Sequence, residues 1–227
     1  MYLSRLTLNP RSRDVRRDLA DFYQLHRTIM SAFASTADGD ARRSLGVLFR
    51  VEPEGAPLPV VLVQSYEEPR WGLPLGYLAR GTEAKSKPIG ELLDAITAGR
   101  TYRFRLLANP TRKIARFDTT GVRMRQGTRV DLRRDADRLE WLKRKGNQHG
   151  FQLAQLTLDA GDAVDVLIRS SPRQTGRKDD TRITVAGTLF DGRLVVQDTD
   201  RIRDAIAQGI GPGKTFGFGL LSLGPGR

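Results

Sequence analysis

The sequence contains no cysteine, which excludes disulfide bonds and zinc sites built on thiolates. Aromatic residues make up only 7% of the chain, too few for a general single-strand platform on which successive bases stack. No apolar run approaches the roughly 20 residues that a membrane-spanning helix needs. The first residues alternate as a strand does and lack the apolar core of a signal peptide, so we expect a cytoplasmic protein with no membrane partner.

Positive charge, in contrast, is abundant and concentrated. The chain carries 38 lysines and arginines against 26 acidic residues, a formal net charge of +12. Residues 100–145 alone contain fifteen basic and five acidic residues, a net of +10 in that segment. A polyanionic partner, nucleic acid in particular, explains this concentration better than a generally basic surface does.

The apolar pattern predicts an α+β fold of two tandem ferredoxin-like (RRM-like) domains, each in the order βαββαβ. A first helix ends near Phe33, and a strand over residues 101–107 closes the first unit. The second half repeats the order, with Asp191-Gly192 as a hairpin turn and a last strand over residues 215–223. The other predicted strands are residues 2–8, 44–51, 59–64, 122–126, 151–158, 164–168, 181–190 and 194–196, and the other helices are residues 89–98, 132–147 and 202–208. We therefore predict domains over residues 1–110 and 111–227.

A glycine-rich segment near the carboxyl end is the most unusual local feature, because residues 209–219 contain five glycines. Ordering a glycine costs more backbone entropy than ordering any other residue, so this density indicates tight turns or the close approach of another molecule. Within it, Gly213-Lys214-Thr215 resembles part of a phosphate-binding P-loop. However, Gln208 stands where the first glycine of that motif belongs, and the predicted order of helix, loop and strand is the reverse of the P-loop order. Nucleotide hydrolysis is therefore not expected.

Two histidines are the candidate proton carriers. His149 lies at a predicted helix end, where an imidazole interacts with the terminal carbonyls, and we interpret it as structural. His26 lies either in the middle of the apolar stripe of one continuous helix or just beyond the first turn of a helix capped by Asp21, with Gln24 completing a capping box. In the second case Tyr23 and His26 lie on adjacent faces of the helix, beside unpaired amides and the positive end of the helix dipole. These features favour the binding of a phosphate there.

Several segments together resemble the CasE family of CRISPR RNA-processing endoribonucleases, which belongs to the RAMP superfamily and to type I-E systems. The glycine-rich segment is similar to the glycine-rich loop of that superfamily, and the likeness continues through residues 9–13, 23–28, 60–64, 104–110 and 211–214. The resemblance implies the same two-domain architecture. It also implies recognition of a CRISPR repeat stem-loop, cleavage of the precursor RNA without a metal or other cofactor, and retention of the product in Cascade beside its other subunits. The alternatives are a RAMP scaffold that binds guide RNA without cutting it, and a basic ribosomal or single-strand-binding module with no stem-loop preference.

The resemblance also assigns roles to residues. Tyr23 and His26 match the catalytic tyrosine and histidine of the family. The 2′-hydroxyl of the RNA is the implied nucleophile, and His26 is either the general base towards it or the general acid towards the leaving 5′-oxygen, giving a 2′,3′-cyclic phosphate and a 5′-hydroxyl. Arg27 is the candidate cation at the scissile phosphate. Some family members have a lysine where Ser31 stands here, so the resemblance does not itself identify this cation. A basic hairpin over residues 169–178 is expected to read the stem. The predicted RNA contacts are Arg27, Arg112, Lys113, Arg173, Arg177, Lys178, Gly211, Gly213 and Lys214.

Overall fold

The computed structural model describes residues 1–33, 41–52, 57–115, 128–158, 161–178 and 181–226, which form α+β structure with antiparallel sheets. The strands are β1 (Tyr2–Thr7), β2 (Leu48–Val51), β3 (Val60–Ser65), β4 (Lys85–Pro88), β5 (Thr101–Ala108), β6 (Thr111–Ile114), β7 (Thr128–Asp131), β8 (Phe151–Leu153), β9 (Gln155–Leu158), β10 (Gly161–Val164), β11 (Val166–Lys178), β12 (Thr181–Val196) and β13 (Leu221–Pro225). The helices are α1 (Arg13–Ala20), α2 (Phe22–Met30), α3 (Ala41–Ser44), α4 (Gly90–Asp94), α5 (Asp135–Gln148), α6 (Thr199–Gln208) and a 3-10 helix over Lys214–Phe216. Within these ranges, every helix is too short or too polar to cross a membrane.

The amino-terminal sheet has the strand order β2-β3-β1-β4 and is antiparallel throughout. Its strands alternate, so that one face of each is apolar: Leu6 of β1 pairs with Val61 of β3, and both are buried. The helices α1 and α2 cover this face and contribute Val15, Leu25 and Ile29 to the same core. Packing against the sheet and against α1 therefore holds α2 in place.

The carboxy-terminal sheet has the order β11-β12-β5-β13, and β8 also pairs with β12. The core beneath it combines Leu106 of β5 and Phe190 of β12 with apolar residues of α5 and α6, among them Trp141, Leu142 and Ile202. Two further hairpins, β6–β7 and β9–β10, stand outside this sheet. The long strands β11 and β12 form the hairpin that carries the predicted basic segment.

Three predictions of strand placement are wrong. The strand over residues 101–107 does not close the first sheet, because β5 pairs with β12 and β13 in the second. Asp191-Gly192 is not a turn but lies inside β12, where a Cβ on Gly192 would stand 2.1 Å from the carbonyl oxygen of Asp165. Residue 192 must be a glycine because the backbone at Asp165 comes this close to it. The last strand is confined to β13, since the glycines before it have φ of +77° and +93° at Gly217 and Gly219, which a strand does not accept. The predicted strand over residues 122–126 lies outside the described residues.

Arg50 joins the two sheets. Its side chain is 2% exposed and donates to the carbonyl oxygens of Leu220 (3.0 Å) and Arg105 (3.3 Å) and to the hydroxyl of Ser222 (2.9 Å). Arg105 and Ser222 lie in strands of the second sheet, and Leu220 directly precedes β13. Its charge is balanced within the same strand region by Glu52, 2.6 Å away. A buried guanidinium that is this fully hydrogen-bonded fixes how the two sheets meet.

Candidate active site and nucleic-acid interface

The helix that carries Tyr23 and His26 begins at a local capping signal. Asp21 has extended backbone angles (φ −136°, ψ 101°) and separates α1 from α2. Its Oδ1 accepts a hydrogen bond from the amide of Tyr23 at 2.9 Å, which satisfies one of the unpaired donors of the first turn. Of the two alternatives left open by the sequence, the helix capped by Asp21 is therefore confirmed. The predicted capping box is not formed, because the amide of Asp21 bonds to the carbonyl oxygen of Arg17 and not to the side chain of Gln24. Tyr23 lies in its first turn and His26 just beyond, both half-buried.

His26 lies against Phe49 of β2, with the ring centroids 6.2 Å apart and the planes 23° from parallel. Its Nδ1 is buried and has no hydrogen-bond partner among the described residues, so Nε2 is the nitrogen left for proton exchange with a bound molecule. Burial, and secondly the positive charge of Arg42, lower the pKa of His26 from 6.5 to about 4. The imidazole is therefore neutral at pH 7 and able to accept a proton.

The basic hairpin packs on the beginning of α2. Asp21 Oδ1 also accepts a hydrogen bond from the backbone amide of Arg177 at 3.3 Å. A Cβ on Gly176 would stand 2.7 Å from the ring of Phe216 and 3.3 Å from the amide nitrogen of Tyr23, so the strand approaches both as only a glycine allows. The basic hairpin, the amino end of α2 and the glycine-rich loop are therefore in contact with one another.

The glycine-rich loop closes on the same aromatic ring. Gly217 has φ +77°, and a Cβ there would stand 2.9 Å from the ring of Phe49, which also contacts His26. Phe218 is buried and Phe216 is half-buried, and both belong to a small cluster with Leu107. Core packing rather than base stacking therefore accounts for these two aromatic residues.

Positive charges from three distant segments converge near this loop. Burial lowers the pKa of Lys214, and Arg42, Arg43 and Lys145 lower it further. Arg42 lies on α3, and its Nη1 donates to the carbonyl oxygen of Val47 at 3.3 Å. The sequence analysis did not identify Arg42 and Arg43 as site residues. The sequence signal for them is an adjacent basic pair ahead of a strand, and no local pattern relates that pair to His26.

The remaining predicted contacts do not all lie at this site. Arg27 is exposed on α2, and Arg173 is exposed on β11, as is Arg177. Arg112 and Lys113 are exposed on β6, whose neighbours include the residues at the start of α5. The side chain of Lys178 lies outside the described part of the chain. In the loop, Gly211 and Gly213 have φ of +86° and +78°, and Lys214 begins the 3-10 helix.

His149 is found at the end of α5, as predicted, where its amide bonds to the carbonyl oxygens of Lys145 and Gly146. Its pKa is lowered by burial and by the charges of Lys145 and Lys214. The second histidine therefore also faces the positively charged loop, a neighbourhood that helix patterning alone does not reveal.

The entire chain is similar to known proteins. A family model described as "CRISPR associated protein" matches residues 1–225. The CRISPR-associated endoribonuclease Cse3 of Thermus thermophilus is 36% identical over 231 residues, and the CRISPR system Cascade subunit CasE of Escherichia coli is 33% identical over 230; each match covers 99% of this chain and 100% of the relative.

Solved structures give the same result. T. thermophilus Cse3 bound to an RNA representing a pre-cleavage complex has a TM-score of 0.76 and 37% identity, with 99% of this chain and 98% of that chain covered. The CRISPR-associated protein Cas6e from E. coli has a TM-score of 0.68 and 29% identity, with 99% and 100% covered. By fold and by sequence over nearly its full length, this chain belongs to the CasE family of CRISPR-associated proteins.

Proposed function

We propose that this protein is a cytoplasmic endoribonuclease that recognises the stem-loop of a CRISPR repeat, cleaves the precursor RNA and stays bound to the product among the other subunits of Cascade. The observation that carries the proposal is a neutral, half-buried imidazole, His26, held one turn into a helix where a basic hairpin and a cation-lined glycine loop meet. Family membership supports it, since one relative is named an endoribonuclease and another a Cascade subunit.

His26 acts as the general base. Its Nε2 removes the proton of the ribose 2′-hydroxyl, the 2′-oxygen attacks the adjacent phosphorus, and the bond from phosphorus to the 5′-oxygen breaks. The leaving 5′-oxygen takes up a proton from water, and the proton on His26 is returned to the solvent, so that the products are a 2′,3′-cyclic phosphate and a 5′-hydroxyl. Tyr23, in the first turn of the same helix, orients the 2′-hydroxyl or shares in the proton transfer. Because the RNA supplies its own nucleophile, this reaction requires no metal ion.

Arg42 is a better candidate than Arg27 for the cation at the scissile phosphate. Its positive charge acts on His26, and its guanidinium is held by the carbonyl oxygen of Val47, whereas Arg27 points from an exposed position on α2. A fixed positive charge there stabilises the negative charge that develops on the phosphate oxygens. It also supplies a cation in a chain that has Ser31 where some family members have a lysine.

The exposed arginines of the hairpin bind the RNA stem. An A-form stem is recognised largely through its shape and phosphates, so a protruding basic hairpin with Arg173, Arg177 and Lys178 suits it. The amides of Gly211 and Gly213 and the ammonium of Lys214 approach the backbone near the cleavage site. Arg112 and Lys113 contact a further part of the backbone from β6.

We also propose that the two halves are ferredoxin-like domains. The amino-terminal order β4-β1-β3-β2 has a counterpart in the carboxy-terminal order β13-β5-β12-β8, with the last strand beside the first and the second at the opposite edge. In this scheme β5 opens the second domain, so the division falls near Arg100 rather than at residue 110. The described chain between β3 and β4 contains no helix, so the first domain lacks one element of the pattern.

The proposed activity is tested with purified protein and repeat RNA in the presence of EDTA. We expect one cut per repeat, a 5′ fragment that is one water lighter than its linear phosphate, and no cut when the nucleotide before the cleavage site carries 2′-deoxyribose. Tight binding of the stem-loop without any cleavage would show that the protein is a guide-RNA-binding scaffold and not an endoribonuclease. Equal competition by an unrelated hairpin at moderate salt would instead indicate a non-specific basic module.

The pH dependence of cleavage distinguishes a base from an acid. With a pKa of about 4 in the free protein, His26 is already neutral at pH 5.5, so the second-order rate constant as base should be almost constant between pH 5.5 and 7.5. A general acid with this pKa would give a rate that falls about tenfold per pH unit over the same range. The measurement is the single-turnover rate at subsaturating protein. A tenfold decrease from pH 7.5 to 5.5 would contradict the buried, neutral imidazole.

A further inference from the structure

A second group of basic residues lies where the glycine-rich loop crosses α5. A Cβ on Gly211 would stand 3.2 Å from the ring of Trp141, so the loop rests on that ring. Lys145 follows Trp141 by four residues, one helical turn, and therefore lies on the same face of α5. His149 caps the helix after one further turn, and Lys214 opens the 3-10 helix on the loop side.

The two lysines of this group lack counter-charges among the described residues. In the part of the chain that the structure describes, neither Lys145 nor Lys214 has a carboxylate within ion-pair distance, and Lys145 Nζ instead donates to Gln148 Oε1 at 2.9 Å. Both lysines are half-buried. Lys143, on the exposed face of the same helix, is by contrast paired with Glu140 at 2.8 Å. Half-buried like charges without counter-charges are unfavourable in the free protein and are stabilised by a bound anion.

We propose that Lys145, His149 and Lys214 form a binding site for one phosphate of the RNA backbone, distinct from the scissile phosphate at His26. The site extends the proposed endoribonuclease function and rests on it. Arg42 lowers the pKa of both Lys214 and His26, which places the proposed site in the neighbourhood of His26. The site therefore fixes one backbone phosphate near the cleavage site and sets the register of the cut.

The test measures RNA affinity in a His26→Ala background, where no cleavage occurs. Lys145→Gln and Lys214→Gln should each weaken binding of the repeat RNA about tenfold and lower the slope of log K against log salt by roughly one. Repeat RNAs that each carry a single uncharged methylphosphonate linkage then locate the phosphate. At one linkage, removal of the phosphate charge should lower the RNA affinity of the parent protein about tenfold. At that linkage, and at no other, it should leave the RNA affinity of the Lys145→Gln and Lys214→Gln proteins unchanged. Lys143→Gln is the matched control on the same helix and should bind as the parent does.

Additive losses at every linkage, or unchanged affinity and salt slope in both lysine variants, would overturn the site. A shift of the wild-type cut in a Lys145→Gln protein that retains His26 would support its role in register. The proposed function fails separately, since it depends on whether the protein with His26 cuts repeat RNA at all. Loss of cutting activity and loss of the phosphate site are therefore observed in different assays.

Discussion

Replacing His26 by alanine is expected to reduce the single-turnover rate of RNA cleavage by about a thousandfold, within the range that a general base contributes. The Nε2 atom is the proposed proton acceptor for the 2′-hydroxyl, and alanine offers no substitute. Binding should change little, because the exposed arginines of the hairpin and the glycine-rich loop remain. The measurement is the cleavage rate at saturating protein, together with the affinity for an RNA that has 2′-deoxyribose at the cleavage site.

Ser31→Ala is the matched control on the same helix. Ser31 is exposed, and its hydroxyl only donates to the carbonyl oxygen of Thr28 at 2.8 Å, so its loss should alter the rate by less than about twofold. The fold should tolerate His26→Ala, since the substitution also removes a buried Nδ1 without a partner. Cleavage at the wild-type rate by folded His26→Ala protein would end the assignment. Equal loss in the Ser31→Ala protein would show that the helix, and not the imidazole, is responsible.

Replacing Arg50 by alanine is expected to cost about 3 kcal/mol of unfolding free energy, because breaking a buried, hydrogen-bonded charge leaves its partners unsatisfied. The carbonyl oxygen of Leu220 and the hydroxyl of Ser222 would lose their donor at the junction of the two sheets. Glu52 keeps Arg105 as a partner at 2.9 Å, which places the loss at the lower end of the usual range. For a chain of this size the melting temperature should fall by about 10 °C.

Arg5→Ala is the control for Arg50. Arg5 lies on the neighbouring strand β1 and is exposed, so its removal should change the unfolding free energy by no more than about 0.5 kcal/mol. Thermal and urea unfolding of both variants provide the comparison. If Arg50→Ala melts within a degree or two of the wild type, the joint between the sheets does not depend on this guanidinium.

The local features of the candidate site could be predicted from the sequence because their causes lie within a few residues. Asp21 caps α2 through the amide of Tyr23, two residues away, and this fixes where His26 stands relative to the helix end. The glycine density of residues 209–219 indicates tight turns from the sequence alone, although which glycines adopt positive φ, among them Gly217 and Gly219, is not predicted. The family resemblance rests on such short segments, and the match over residues 1–225 confirms it.

Strand partners and charge clusters depended on the tertiary structure. The alternation in residues 101–107 predicts a strand correctly, but an alternating strand fits either sheet, and only the core beneath α5 and α6 assigns β5 to the second. Arg42, Lys145 and Lys214 are separated by about a hundred and seventy residues at their extremes, and no local pattern indicates that they meet. The sequence by itself determined the glycine-rich composition of the loop and the excess of positive charge, and it offered the Asp21 cap as one of two alternatives, because these follow from residue type and local spacing. Only the fold decided which charges surround the neutral imidazole, since electrostatic interaction depends on distance in space and not along the chain.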